Sequence, residues 1–404
     1  MTNWFQLDKE YLISTYHRTP VAIERGEGCK LYDVNGKEYL DLFSGVGVNI
    51  LGYNHPNIVQ TTLKQVEKCL HLPFHFLNPV AIEYAKKLVS YTLKDGKVFY
   101  TNSGTEATET TLKLIDKYRN ITKEEREGIV VLKGSFHGRT LGALHFTRQE
   151  SIYQNFPQTS IPVYEVEREN IEELEETIIN EQPIAIMLEP VLGSGGIYPL
   201  SSEYLKGVQH LCEKYNVLLI VDEVQSGMGR TGKLFAYQNF HITPDIIQFG
   251  KGAGGGIPLG GIIVGSRLCN TFLPGDHGTT FAHSSIGTAL GLTVLKTLID
   301  DGLMEEAYET SLYLNNKLQE IQKENSYFIQ EVRHSGMMFG ISMNDTNENV
   351  KKIQLSLMDK GMLVDVTQGN IIRLLPPFII TKEEIDEFIK QFISCIPKSV
   401  ALTS

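Results

Sequence analysis

Two side chains in one stretch of this sequence could do covalent chemistry together. Asp222 closes the apolar run Val217–Val221, and Lys251 follows the mostly apolar run Ile246–Phe249, held between Gly250 and Gly252. A short apolar run that ends abruptly in charge predicts a parallel strand buried on both faces, its carboxyl end at a surface. Ligands of open α/β sheets bind along that rim. A lysine there, with glycines keeping neighbouring side chains away, can act as an amine nucleophile toward a carbonyl. An acid at the neighbouring strand end suits a ring nitrogen that must stay protonated. Each residue alone has a plainer explanation, as a solvated surface lysine and a helix-capping aspartate. Together they form the pair that pyridoxal phosphate requires.

Such a cofactor also needs an anion site. Residues 98–101 predict a strand, and Asn102-Ser103-Gly104-Thr105-Glu106 leads from it into a helix striped by Leu112, Ile115 and Tyr118. Ser103 with Glu106 has capping-box form. The free N–H groups and positive dipole end of such a helix start attract phosphate. Most such turns are ordinary caps; the predicted position at the same rim as Lys251 favours the anion site. A further strand, 129–132, ends in KGSFHGRT, which puts Phe136 and Arg139 just past its end. The aromatic could stack on a cofactor ring and the arginine could grip a carboxylate, against the plainer roles of core filler and surface ion pair.

The elements that must position these residues follow from the pattern. Strand–helix–strand alternation across residues 98–250 predicts parallel pairing with right-handed crossovers. Residues 1–50 read as a meander with turns at Glu27-Gly28 and Asn35-Gly36, followed by a helix over 58–69. After HGTTFAHSS a helix begins near Ile286. From about residue 300, strands at 337–343, 362–366 and 371–375 alternate with helices, the last opened by a Thr381–Glu384 capping box. This predicts an α/β fold in which a large cofactor-binding domain, 51–299, joins a small α+β domain built from 1–50 and 300–404.

Composition narrows the class. The net charge of −11 argues against nucleic acid or an anionic membrane surface as partner. No apolar run approaches the ~20 residues of a membrane helix. The start, MTNWFQLDKE, has no basic region and no apolar core, which predicts no secretory signal. Cys29, Cys69, Cys212, Cys269 and Cys395 are scattered, which predicts reduced thiols in a cytoplasmic protein, with no metal site. His71 and His75 have ligand spacing, but Pro73 breaks their shared helix face. Gly227-Met228-Gly229-Arg230-Thr231-Gly232 matches a dinucleotide fingerprint and nearly a P-loop, leaving a nucleotide-binding oxidoreductase or phosphotransferase as rival. Both motifs need their glycines directly between strand and helix, and here residues 222–226 intervene.

Across nearly its whole length the sequence resembles the class III, ornithine-type, pyridoxal-phosphate aminotransferases, and among them the acetylornithine and ornithine aminotransferases. The likeness lies in a series of blocks in family order: TYHRTPVAIERGEGCKLYD, GVGVNILGYNHP, NSGTEA, SFHGRTLGAL, LIVDEVQSGMGRTGKLFA, FGKGAGGGIPLGG, HGTTF and IIRLLPP. The resemblance implies the fold type I transferase architecture, with a mostly parallel central sheet flanked by helices. It implies that Lys251 holds pyridoxal 5'-phosphate covalently and then serves as acid and base of the 1,3-proton shift. Asp222 would keep the ring nitrogen protonated, Gln225 would bond the phenolic oxygen, and Phe136 and Val224 would sandwich the ring. Ser103, Gly104 and Thr105 would hold the phosphate, with Thr280 reaching it from the other subunit of a homodimer with shared sites. Arg139 and Arg373 would bind substrate carboxylates, helped by Tyr16 and Thr279.

Two departures stand out. Where ornithine-type members carry a Glu that masks the arginine corresponding to Arg373, this chain has Ser194, which predicts an Arg373 open to carboxylates in both half-reactions. The segments HLPFHFLNP and AHSS also replace the family's usual runs at the substrate rim. The expected activity is ping-pong transfer of an amino group from an acetylornithine- or ornithine-like ω-amino donor to 2-oxoglutarate, as in arginine biosynthesis. Other ω-amino, dicarboxylic or α-amino donors, and an aminomutase of the glutamate-semialdehyde type, are the alternatives.

Overall fold

The uninterrupted apolar runs become strands because both of their faces are covered. In Leu218–Asp222, Leu219 and Val221 enter the core on one side of the sheet, and Leu218 and Ile220 the core on the other. A computed structural model describes residues 2–396. Its main sheet has seven strands in the order Lys97–Thr101, Gly260–Val264, Ile246–Phe249, Leu218–Asp222, Ala185–Leu188, Ile129–Leu132, Val163–Val166. Gly260–Val264 runs against its neighbours and the other six strands run together.

Helices cross between these strands, and their ends are fixed by local chemistry. Ser103, Asn170 and Ser201 each accept a backbone N–H three residues on, opening Gly104–Thr122, Ile171–Glu181 and Ser202–Tyr215. Helices Trp4–Tyr11 and Pro79–Tyr91 lie in segments without a clear sequence signal; the second starts at a proline after an Asn78 cap. The helix predicted over 58–69 spans Pro56–Lys68. Among the described residues no helix is long and apolar enough to cross a membrane.

The N-terminal meander forms strands Ile23–Glu27, Lys30–Asp33 and Glu38–Asp41. Its second turn is held by the Asp33 carboxylate, which accepts the N–H groups of Asn35 and Lys37 at 2.8 and 2.9 Å. The strand expected over 362–366 is instead divided between two sheets. Met362–Leu363 runs parallel to Leu40 and Asp41, because the N–H groups of Leu40 and Leu42 bind the carbonyls of Gly361 and Leu363. The chain then crosses over, and Asp365–Thr367 pairs with Ile371–Leu374 at the edge of a separate antiparallel sheet with Ile329–Ser335 and Met338–Met343.

Candidate active site

Asp222 pairs in parallel register with Gln248, so the chain reaches Gly250 and Lys251 just beyond the same sheet edge. Lys251 is half-buried and sits at φ +45°, a left-handed conformation uncommon outside glycine. The glycines around it allow close approach. A Cβ on Gly250 would stand 3.3 Å from the Gly104 nitrogen and 3.4 Å from Val224 Cγ1; one on Gly104 would meet Val224 Cγ1 at 2.5 Å. Lysine strand end, acid strand end and helix start therefore touch. Burial lowers the Lys251 amine from its ordinary 10.5 to about 8, partly offset by the Asp222 carboxylate.

Asp222 is buried, and its Oδ2 lies 2.7 Å from His137 Nδ1 while Oδ1 accepts the Val224 N–H at 3.1 Å. His137 was not singled out from the sequence, although it sits between Phe136 and Arg139 in the quoted FHGR block. Beside it, Glu189 accepts the Phe136 N–H at 2.9 Å through Oε1 and the Gly193 N–H at 3.2 Å through Oε2. Burial pushes the Glu189 carboxyl up to about 7. One buried carboxylate thus fixes both the Phe136 turn and the loop at Gly193.

The helix start differs from a simple capping box. Ser103 Oγ accepts the Glu106 N–H at 3.3 Å, but the Glu106 carboxylate reaches one residue further back, to the Asn102 N–H at 2.6 Å. Thr105 Oγ1 accepts the Arg139 N–H at 3.1 Å, and Gly138, at φ +137°, lets the two segments meet. Phe136 and Arg139 are thereby fastened to the helix start, with the Arg139 guanidinium 5.5 Å from the Phe136 ring. Arg139 is exposed and makes no ion pair among the described residues.

The remaining expected site residues divide. Thr279 Oγ1 accepts from the Asn102 amide at 3.2 Å, and Thr279 and Thr280 line a cavity of about 540 Å³ with Phe74, Thr101, Glu106 and His277. Tyr16 is not brought there within the protomer: it is 74% exposed and lies beside Arg18, which pairs with Asp8 at 2.6 Å. Arg373 is at the site, where its charge reaches Lys251, but it is not open as Ser194 led us to expect. Its Nη2 stands 2.8 Å from Asp365 Oδ2. The sequence could not show this pair, because it exists only after the 362–366 segment divides.

Gly227–Gly232 lies in a run of turns, and the next element is the short 3-10 helix Ala236–Phe240, so no strand–glycine–helix phosphate cradle forms there. Arg230 is buried and donates to the carbonyls of Met337 and Pro376. The motif is a structural staple, which removes the nucleotide reading.

The residues present fit pyridoxal phosphate. A lysine with a lowered pKa, a buried carboxylate and a helix start meet at one rim, and Gln225 Oε1 is buried without a protein partner. A Cβ on Gly193 would come within 1.9 Å of that oxygen, so only glycine leaves room for the amide. This site on this sheet defines a transferase of the fold type I, pyridoxal-phosphate-dependent class. Residues 11–396 match the class-III aminotransferases, and the chain belongs to that family. It is 39% identical over 381 residues to the acetylornithine aminotransferase of Caldanaerobacter subterraneus subsp. tengcongensis, covering 94% of this chain and 95% of the relative. The crystal structure of acetylornithine aminotransferase from Elizabethkingia anophelis superposes with a TM-score of 0.85 at 31% identity, covering 98% and 99% of the two chains. An ornithine aminotransferase from Toxoplasma gondii, described with partial occupancy of PLP at its active site, superposes with a TM-score of 0.91 at 27% identity, covering 97% and 93%. The protein is an enzyme, a transaminase.

Proposed function

We propose that this enzyme moves the ω-amino group of an acetylornithine-like donor to 2-oxoglutarate by ping-pong exchange. The convergence of Lys251, Asp222 and the Ser103–Glu106 helix start at one rim carries the reading. When bound, pyridoxal phosphate supplies the electron sink that makes the carbon bearing the amino group acidic. Lys251, with its amine near 8, would take the proton from that carbon and serve as acid and base of the 1,3-proton shift. Asp222, backed by His137, holds the ring nitrogen in its protonated form. Phe136 and Val224 bracket the ring, Gln225 bonds its phenolic oxygen, and Ser103, Gly104 and Thr105 hold the phosphate. Arg139, exposed and without an acid partner among the described residues, takes the donor's α-carboxylate, and Arg373 takes a carboxylate of the acceptor.

The same reading makes the working unit a cytoplasmic homodimer. Thr280 is exposed and lines the cavity with Phe74; Phe74, its chain neighbours Leu70, Phe76 and Leu77, and Phe281 beside Thr280 all expose large apolar surface. A second copy would cover that patch and receive Thr280. The five cysteines are all free thiols, as a reducing compartment requires.

A panel of amino donors with 2-oxoglutarate tests the function. Acetylornithine should give the highest kcat/KM, and Lys251→Ala should lower turnover by on the order of 1000-fold or more. Absence of turnover with every ω-amino donor would sink the reading.

A further inference from the structure

Arg373 and Asp365 stand directly opposite one another in antiparallel register. The guanidinium is 7% exposed; its Nε donates to Asp365 Oδ2 at 3.0 Å, and Nη2 lies 2.8 Å from the same oxygen. Its third contact is Nη1 to the Gly193 carbonyl at 3.1 Å, with the Phe43 ring 5.1 Å away. Asp365 is the acid within ion-pair distance of Arg373 among the described residues. Ser194 offers no charge, and its hydroxyl sits 3.5 Å from Gln149 Oε1.

One guanidinium thus faces two claims. If Arg373 binds the acceptor's carboxylate, as the proposed function holds, that carboxylate and Asp365 compete for the same fork of N–H groups. A buried guanidinium left unpaired is costly, so a donor that brings no carboxylate to this point needs a protein acid in its place. The contact is also built to yield. Asp365 engages through one oxygen, keeps a side chain 25% exposed, and lies on the three-residue strand Asp365–Thr367, followed by left-handed Gln368 and Gly369. That strand is tied to the Gly193 loop as well, since Thr367 Oγ1 and Gln368 Nε2 both donate to the Ser194 carbonyl.

We propose that Asp365 is a specificity-determining residue, an internal counter-ion that holds Arg373 while the ω-amino donor is bound and is displaced by the dicarboxylate acceptor. The proposal rests on the transaminase reading above, with Arg373 as a carboxylate site. It gives this chain a mask for Arg373 carried on the neighbouring strand, engaging Nε and Nη2 while Nη1 donates to Gly193 in the loop that bears Ser194.

The test uses the cofactor-loaded enzyme and glutarate, a dicarboxylate with no carbonyl to accept an amino group. By calorimetry, Asp365→Asn should bind glutarate about tenfold more tightly, and the KM for 2-oxoglutarate should fall by a similar factor. The donor half-reaction should become slower and more sensitive to glutarate inhibition. Asp365→Ser, which removes the carboxyl and leaves a smaller side chain on the strand, should act in the same direction if the asparagine variant folds poorly. Glutarate binding that weakens or stays unchanged in both variants would make Asp365 only an orienting partner and overturn the proposal. Arg373→Gln separates the two readings: if it leaves glutarate binding unaltered, the assignment of Arg373 fails, whatever Asp365 does.

Discussion

His137 Nδ1 and Asp222 Oδ2 lie 2.7 Å apart with both side chains buried. The imidazole is the side chain that orients this carboxylate, since the other oxygen takes a backbone N–H from Val224. Removing it leaves a buried acid with one partner, which costs roughly 3 kcal/mol when uncompensated. We expect His137→Ala to lower kcat on the order of 100-fold and to release the cofactor faster on dialysis. His137→Asn, which keeps an N–H donor at the position, should recover part of both losses. An unchanged kcat in the alanine variant would remove His137 from the site's workings.

Lys251 gives a pH dependence with a definite sign. Its amine is lowered from 10.5 to about 8, first by burial, and the charges of Arg373 and Arg230 press it down while Asp222 and Glu189 raise it. Between those two pH values the folded chain binds fewer protons at this group than the unfolded chain, so the lysine's cost to the cofactor-free fold is relieved as pH rises through the window. The neutral nucleophile appears over the lower part of the same range. Recombination of cofactor-free enzyme with pyridoxal phosphate should accelerate with a midpoint near pH 8, followed by absorbance. Arg373→Gln should move that midpoint up, and Glu189→Gln should move it down.

What the sequence revealed follows from what pattern can encode. Strand Leu218–Asp222 was legible because burial on both faces leaves a continuous apolar run, and the acid that ends it marks the rim. The helix start at Ser103 was legible from its cap. His137 was not, because a histidine just past a strand end can face core or solvent, and only the register of Ile129–Leu132 with Ala185–Leu188 and Leu218–Asp222 points it at the acid. Asp365 was hidden in the run Met362–Val366, which reads as one strand, while the backbone partners of Leu40 and Leu42 divide it. Arg230 sat inside glycines whose spacing imitates a nucleotide motif, and no local rule reveals that its partners lie at Met337 and Pro376.

Arg230 itself is open to test. It is fully buried with no acid partner among the described residues, and burial lowers its guanidinium from 12.5 to about 9. Nη1 spans the carbonyls of Met337 and Pro376 at 3.3 and 2.6 Å, and Nη2 lies 3.5 Å from Ser44 Oγ. Lysine cannot reproduce that fork from one point charge. We expect Arg230→Lys to lower stability by about 2 kcal/mol, read as a lower Tm. The KM for 2-oxoglutarate should rise more than the KM for the donor, because Pro376 lies three residues past Arg373 on the same segment.

Gly104 ties the phosphate end of the site to the ring end, and its substitution should separate them. The Cβ of Gly104→Ala would stand 2.5 Å from Val224 Cγ1 and 2.7 Å from Cγ2, closer than real carbon contacts allow. Neither side can yield freely, since the Ser103 cap fixes the helix start and Asp222 accepts the Val224 N–H. Overpacking of this kind costs about 1–3 kcal/mol. Here it falls on the two segments proposed to bracket the cofactor, so it should appear as weaker pyridoxal phosphate binding, roughly 10- to 100-fold, with a smaller loss in Tm of the cofactor-free protein. Gly104→Ala combined with Val224→Ala removes the clash and should restore most of the phosphate affinity. If the double variant binds as poorly as the single one, the contact between Gly104 and Val224 does not set the cradle.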